Sequence, residues 1–579
     1  MSAVDKWAVA RVLDKIAQYT SLSDPQRFRS RAFERAARAI ESLDEDIGPL
    51  VASGDLVKTP GIGKAVASIV KELVDTGESR YLDDLRKQYP SGIFDLLHVP
   101  GLGITKIAFL YEKLAIGSLE ELEAAARDGR LAKLKGFGPK TTAKILEGIE
   151  RARWRQSQFL LPTGLEVAER MRERLARIAE IKDAEVVGSV RRRLEVNRNV
   201  NIAIATNDRQ SVVEGLKKLV DQLEAIDERT YKGSLPSEVD VLFHLADPDD
   251  FGATVVKTTG SAEFVDALKK KIRPFELRDG ALYKSNRRVK TRNEEEFFEK
   301  AGIPFVEPER RETGQDLAHK KRPALVEPTD LRGTFHVHTT FSDGRNTVLE
   351  MLTAAKDRGL DYVGLSDHSP AALYAGGLSV ERLREQHAEI DKREPDVAPM
   401  RVFRGTEADI LPDGSIDYGD KVLSKLDFVV ASVHSRFNMP KDEMTERMLK
   451  ALDDPHVTIL GHLTGRKLLS RDGYTLDYDR VFERAAERGV CIEINGNPNR
   501  LDLDWRHVGR ALELGVMFVI NPDAHSIAEM SHIISGTWVA RKAGLTPKQI
   551  FNTKSVEEVE EWLKARPRSV EDRRPRLSS

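Results

Sequence analysis

The sequence predicts a multidomain chain that opens all-α, passes through short α/β segments and ends in a barrel of alternating strands and helices. Three observations carry this. At 579 residues the chain exceeds what one hydrophobic core serves, so three or four domains are expected. Three Gly-x-Gly loops punctuate the first 155 residues, each between two helical stretches. After residue 331 short apolar strands alternate with helices, and nine potential metal ligands stand at strand ends. In order these are His336, His338, Asp343, His368, Glu407, His434, His462, Asp523 and His525.

In the first part, residues 7–21 and 31–43 carry amphipathic helical periodicity. The loops read Thr59-Pro-Gly-Ile-Gly-Lys64, Val99-Pro-Gly-Leu-Gly-Ile104 and Leu134-Lys-Gly-Phe-Gly-Pro139. In each, two glycines (Gly61 and Gly63, Gly101 and Gly103, Gly136 and Gly138) allow a tight turn that presents N–H groups at a helix N-terminus to a phosphate oxygen. Lys64 and Lys140 follow two of the loops. One such turn is most often a plain connector, whereas three in phase point to DNA held by its backbone, without sequence readout. From about residue 160 the pattern becomes α/β: a helix over 164–181, strands over 184–191 and 200–206, a helix running to 223, and a strand over 238–244. Residues 247–305 read as a small mixed α/β unit and 306–330 as a polar, Pro-containing linker. Helices over 346–358, 379–394 and 478–489 then alternate with the ligand-bearing strands, and the basic tail 566–579 is expected to be disordered.

His336-Val-His338 and Asp523-Ala-His525 are spaced so that, on a strand, both members face one side. Apolar runs precede His336, His368, His434, His462 and Asp523, so several strand ends converge on nitrogen and oxygen ligands. Asp367 and Glu493 also end strands and are expected to support ligands from behind. Arg404 and Arg436 lie near strand ends, where a phosphate clamp and an ordinary ion pair are equally open readings. His387, His456, His507 and His532 fall outside these motifs. Composition removes other classes. The net charge of −2 leaves no overall basic signature, Cys491 alone permits no disulfide framework, and no apolar stretch nears 18 residues. A soluble, intracellular protein is expected.

With these motifs in view, the whole chain resembles bacterial family X DNA polymerases that carry a C-terminal polymerase-and-histidinol-phosphatase (PHP) domain. The resemblance rests on Arg27-Phe-Arg-Ser-Arg-Ala-Phe33, the three loops, Gly188-Ser189-Val-Arg191-Arg192, Thr259-Gly260-Ser261, His336-Val-His-Thr-Thr-Phe-Ser-Asp-Gly344, Ser366-Asp-His-Ser-Pro370, Ser432-Val-His-Ser-Arg-Phe-Asn438 and Asp523-Ala-His525. It implies an all-α helix-hairpin-helix half, an α/β nucleotidyltransferase palm and thumb, and a distorted (β/α)7 PHP barrel. The implied domains are a lyase-like helical domain (1–85), fingers with two helix-hairpin-helix motifs (86–157), palm (158–246), thumb (247–305), linker (306–330) and PHP phosphoesterase (331–570). It further implies that His336, His338, Glu407 and Asp523 hold one ion. Glu407 would bridge to a second ion on His434 and His462, and Asp343, His368 and His525 would hold a third. Mn²⁺ or Zn²⁺ suits these donors, Mn²⁺ being favoured for a phosphodiesterase of this family. Gly188, Ser189, Arg192, Thr259 and Gly260 correspond to the nucleotide pocket.

The palm departs from the family at its centre. Where the family places two catalytic aspartates on one strand, this chain has Asn199 and Asn201, and only Asp240 remains as a polymerase carboxylate. Two Mg²⁺ ions need anionic oxygens to offset their repulsion, which amides do not supply. Lys257-Thr258 replaces the usual aromatic pair, and Ile69 stands at the position of the Schiff-base lysine of lyase-competent relatives, with Lys71 facing elsewhere. The expectation is a cytoplasmic, nucleoid-associated DNA-repair monomer acting mainly as a metal-dependent 3′→5′ exonuclease on gapped, nicked or 3′-ended duplex. Cleavage at abasic sites or of 3′ phosphates would extend it, with polymerisation lost or very weak. The competing readings are a gap-filling polymerase with an accessory nuclease, a scaffold with structural metals, and a small-molecule phosphatase.

Overall fold

The computed structural model describes residues 6–23, 28–41, 47–90, 92–235 and 239–566. Arg27, Glu238 and the tail 567–579 lie outside the described residues. The chain divides into two compact units, Met1–Ser157 and Gln158–Ser579.

The first unit is helical, and the expected amphipathic segments form the helices Lys6–Ser23 and Phe28–Glu41. The Gly-x-Gly loops repeat one conformation. The first glycine is left-handed (Gly61 φ 94°, Gly101 φ 84°, Gly136 φ 91°) and requires the absence of a side chain. The residue between the glycines (Ile62, Leu102, Phe137) is buried as a plug. The second glycine caps the helices Lys64–Thr76, Ile104–Leu114 and Pro139–Gln156 in extended backbone.

In the second unit, β1 (Ile181–Val187), β2 (Asn199–Thr206), β3 (Gln222–Ala225), β4 (Thr230–Ser234) and β5 (Asp240–Ala246) form a sheet in the order β1-β2-β5-β4-β3. Two sequence boundaries shift here. The helix expected over 164–181 is Leu161–Leu175, and Ile181 already pairs with Thr206 in the sheet. The helix expected to reach 223 stops at Leu216, and Leu223 pairs with Gly233 in the edge hairpin, where it packs on the palm core. The strand ending at Val187 gives way to a short helix because Gly188 turns at φ 72°, where an added Cβ would lie 2.8 Å from Asn201 Nδ2. A small antiparallel sheet follows, of β6 (Phe275–Arg278), β7 (Ala281–Lys284) and β8 (Arg287–Val289).

Residues 306–330 do not behave as a solvated linker. Val306, Glu309, Arg311, Asp316, Leu317 and Val326 are buried, because Arg311 pairs with Glu294 and donates to Val306 O at 2.9 Å. Beyond this strap run β9 (Gly333–Thr334), β10 (Tyr362–Leu365), β11 (Arg401–Asp409), β12 (Phe428–Ser432), β13 (Ile459–Leu460), β14 (Cys491–Asn495) and β15 (Phe518–Asn521), all parallel and in sequence order. The sheet nearly closes: a parallel bridge joins Val337 to Ala524, and His338 N donates to Ala524 O at 2.9 Å. This is a seven-stranded distorted barrel, floored by Phe335, Tyr362, Phe403 and Phe428. Gly364 and Gly405 are needed there, since a Cβ at either would strike the Phe428 ring at 2.6 or 2.3 Å. Among the described residues no helix is long and apolar enough to cross a membrane.

Candidate metal centre

The nine predicted ligands all gather at the C-terminal end of this barrel. His336 and His338 follow β9, Asp343 lies in the next loop, and His368 follows β10. Glu407 is in β11, His434 and His462 follow β12 and β13, and Asp523 and His525 follow β15. One set comprises His336 Nε2, His338 Nε2, Glu407 Oε2 and Asp523 Oδ1, with nitrogen–oxygen separations of 3.4–3.6 Å. A second comprises Glu407 Oε1 with His434 Nε2 at 3.3 Å and His462 Nε2 at 3.0 Å. A third comprises Asp343 Oδ1 with His368 Nε2 at 3.6 Å and His525 Nε2 at 3.4 Å. The sets are contiguous, since His368 also turns Nδ1 to within 3.0 Å of Glu407 Oε2 and its ring lies 4.6 Å from that of His338.

The donors fit a metal on two counts. A tetrahedral ion about 2.0–2.1 Å from its ligands separates them by roughly 3.4 Å, close to the spacing found. Buried polar atoms without partners concentrate here: His336 Nε2, both ring nitrogens of His338, His368 Nδ1 and Glu407 Oε1. Orphans of this kind are costly unless a ligand satisfies them. Backbone strain marks the same place, with His462 at φ 22° and Asp523 at φ 52°.

Supporting groups orient the ligands. His336 Nδ1 donates to Glu493 at 2.6 Å, and the other Glu493 oxygen accepts His462 N at 2.7 Å. His434 Nδ1 donates to Asp409 at 2.5 Å. Asp367 accepts from Thr339 N at 2.8 Å and from Thr339 Oγ1 at 2.7 Å, which fixes the loop after His338. The electrostatics alternate. Burial opposes charge on His336, but Glu493, Glu407 and Asp523 outweigh it and hold the ring well above the ordinary histidine value. His338 is driven down to about 3 by burial and by neighbouring His525 and His368. Burial alone would raise Glu407, yet His368, His336 and His434 keep it well below the usual carboxylate range.

A cavity of about 440 Å³ opens above these groups, lined in part by Asp343, His368, Glu407, His434 and Asp523. Its cations are Lys467 and Arg500, the latter with Nε 3.3 Å from Asp523 Oδ2. Arg404 and Arg436 do not line it. Arg404 pairs with Asp391, because it sits early in β11, away from the strand end. Lys467 and Arg500 were not among the predicted residues, because a cation in the loop after a strand stands out only once the strand ends are known. Of the four set-aside histidines, His456 bonds Asp420 at 2.9 Å and His507 stacks on Tyr478 with ring centroids 4.0 Å apart.

The palm residues come together differently. Asn199 pairs with Asp240 in register, and Asn201 Nδ2 donates to Asn199 Oδ1 at 2.6 Å. Asp240 accepts from Ser234 Oγ at 2.9 Å and pairs with Lys232 at 2.8 Å. Among the described residues the clusters able to hold a metal are all in the barrel. Arg192 donates to Thr259 O at 2.8 Å and to Glu312 at 2.9 Å, with Gly188, Ser189 and Gly260 on the adjoining turns. In the first unit Lys64 and Lys140 are exposed, and a Cβ added at Gly63, Gly103 or Gly138 would meet nothing within 4 Å. Gly63 and Gly103 are exposed and Gly138 partly so. Ile69 packs beside the helical core, and Lys71 is exposed and paired with Asp75.

Family models match a PHP domain over residues 334–497, a helix-hairpin-helix domain over 5–79, a SAM-like helix-hairpin-helix tandem over 93–151 and a DNA polymerase beta thumb over 254–312. The DNA polymerase/3′-5′ exonuclease PolX of Bacillus subtilis (strain 168) is 35% identical over 565 residues, which cover 96% of this chain and 99% of that protein. A probable phosphatase of Thermoanaerobacter sp. (strain X514) is 28% identical over 252 residues, 41% of this chain and 95% of its own length. A probable phosphatase of Vibrio campbellii is 27% identical over 256 residues, again 41% of this chain and 95% of its own.

Proposed function

This chain belongs to the family X DNA polymerases with a C-terminal PHP domain, and on that premise we propose that it is a DNA-repair enzyme acting mainly as a metal-dependent 3′→5′ exonuclease, its polymerase activity lost or very weak. The observation that carries the reading is the contrast between its two centres. The barrel gathers nine donors with orphaned buried atoms, whereas the palm closes two amides and one lysine-paired carboxylate upon themselves.

His336, His338, Glu407 and Asp523, Glu407 with His434 and His462, and Asp343 with His368 and His525 would hold up to three Mn²⁺ or Zn²⁺ ions. Such ions activate water as a nucleophile and neutralise phosphate oxygens. The chain's own groups do the remainder. Glu493 and Asp409 fix the rings of His336 and His434, so the donors do not reorganise when substrate enters. Lys467 and Arg500 present positive charge to the non-bridging oxygens of the phosphodiester. The three glycine loops grip the DNA backbone of a gapped, nicked or 3′-ended duplex. The protein works as a cytoplasmic, nucleoid-associated monomer.

A 5′-labelled primer in a gapped duplex, incubated with Mn²⁺ and dNTPs, separates the activities in one lane. Shortening is expected; lengthening at a comparable rate would overturn the ranking. The relatives named probable phosphatases match 41% of this chain, about the length of the barrel, and favour, as a second reading, release of a 3′-terminal phosphate by the same centre. A 3′-phosphorylated primer tests it.

A further inference from the structure

An exposed apolar pair, Leu373 and Tyr374, stands at the mouth of the metal cavity. Leu373 is 87% exposed and Tyr374 63% exposed, the former the most exposed large hydrophobic among the described residues. Single apolar residues on a surface need no explanation, but two adjacent ones at the rim of a reaction cavity do. Tyr374 lines the cavity, its ring centroid 6.0 Å from those of both His368 and His434.

The loop that displays them is rigidly built. Ser369 N donates to Glu407 O at 3.0 Å, Leu378 N to His368 O at 2.8 Å, and Ala371 N to Asp417 at 2.6 Å. Tyr418 Oη donates to Leu378 O at 2.6 Å, and Gly377 packs so closely that a Cβ would lie 1.9 Å from Ser369 O. The loop is thus bonded directly to a metal-ligand strand while its apolar tip is held in water. Lys467 and Arg500 line the same cavity. The two cations suit phosphate and the aromatic ring suits a base. At about 440 Å³ the cavity is near the small end of ligand pockets, roughly 300–1,000 Å³, with room for one nucleotide and not for a paired duplex end.

We infer that Leu373 and Tyr374 form a wedge that parts the terminal base pair of duplex DNA, Tyr374 stacking on the base of the 3′-terminal nucleotide and Leu373 filling the step behind it. Apolar side chains unstack base steps in this way, and aromatic stacking tolerates any base. The inference rests on the exonuclease reading and names its substrate: the 3′ end of a duplex, entering as a single strand.

The test uses the full chain and the variants Leu373→Ser, Tyr374→Ala and Tyr374→Phe. Both residues are exposed, so folding is not at stake. A duplex with 2-aminopurine in the opposite strand, paired to the 3′-terminal nucleotide, bound without metal, reports parting of the terminal pair as a rise in fluorescence. Wild type and Tyr374→Phe should give the rise, and the other two should lose most of it. With Mn²⁺, Leu373→Ser should hydrolyse blunt duplex roughly tenfold more slowly while single-stranded DNA of the same sequence changes less than about threefold, whereas Tyr374→Ala, which also loses the stacked base, should slow both substrates and the duplex more. Equal losses on both substrates, or an unaltered duplex rate, would overturn the wedge. If wild type instead cleaves a small phosphomonoester and no DNA of either form, the exonuclease reading itself fails, so the two failures are told apart.

Discussion

Glu493, expected from its place at a strand end to support ligands from behind, accepts from His336 Nδ1 and from the backbone of His462, tying two ligand sets together. Glu493→Gln keeps the shape and removes the charge that orients His336. Metal affinity should fall about 10–100-fold, read by calorimetric titration with Mn²⁺, and an unchanged affinity would remove Glu493 from the centre. In the palm, His244 Nε2 lies 2.9 Å from Asn201 Oδ1, and burial, only partly opposed by Asp227, pushes its pKa down to about 4. The folded ring stays neutral to about that pH, whereas an unfolded histidine takes up a proton near 6.5. Between those values the unfolded chain binds more protons, so stability is full above about 6.5 and is lost as pH falls towards 4. The loss is at most about 3 kcal/mol, less for the ring's exposed edge. His244→Gln should therefore flatten the fall in melting temperature between pH 7 and pH 5, and an unchanged slope would exclude His244 as its source. Individual residues were legible where chemistry demands a rare grouping, as with the nine ligands. They were illegible where an ordinary arginine or lysine becomes functional only by position: Arg500 and Lys467 look like any surface cation until the strand ends are known.

At the scale of elements, the barrel strands were readable because parallel strands buried on both faces are short apolar runs, and five of the seven carry a ligand just after such a run. Element ends were less so. Nothing in Leu216-Lys-Lys-Leu-Val220 forbids a helix, and it is pairing with β4 that makes Gln222–Ala225 a strand. The strap 306–330 read as polar because its charges are written in the sequence and its partners are not: Arg311, Glu309 and Asp316 are buried against Glu294, Arg541 and Arg310. The loop 369–378 offers a test of element rigidity. Gly377→Ala drives a Cβ towards Ser369 O, whose own N–H is bonded to Glu407 O, so the strain reaches His368 and Glu407. Since a misplacement of about 1 Å can lower a rate about 100-fold, hydrolysis should drop at least tenfold. Gly359→Ala serves as the control. Its φ of 75° makes an alanine cost roughly 1–2 kcal/mol, but nothing lies within 4 Å and activity should be kept. Equal effects from the two would mean that the loop merely folds and does not position the ligands.

For the molecule as a whole, the palm is bolted to the barrel. Lys542, 2% exposed in the helix His532–Ala543, donates to Arg192 O at 3.0 Å and pairs with Glu312 at 2.6 Å, while Arg506 pairs with Glu195 at 2.6 Å. Burial against this set lowers the Lys542 pKa to about 8. Removing one partner of a buried pair leaves the other uncompensated, so Lys542→Met should cost about 3–5 kcal/mol in the unfolding of the palm–barrel unit, measured by denaturant titration, with the metal centre still loaded. A smaller loss would mean that Arg192 alone satisfies Glu312. The same joint bears on whether the palm is chemically empty or only mechanically restrained. Asn199→Asp with Asn201→Asp restores two carboxylates beside Asp240, where Lys232 already supplies one positive charge. If missing charge is the defect, template-directed incorporation with Mg²⁺ should rise at least tenfold over wild type. Exonuclease activity should stay within about twofold, because the barrel donors share no partner with these strands. If incorporation stays flat in a variant that remains folded, the block lies instead in Arg192. Its guanidinium is held by Glu312 and Thr259 O, and Lys542 anchors Glu312, so Arg192 is not free to receive a triphosphate.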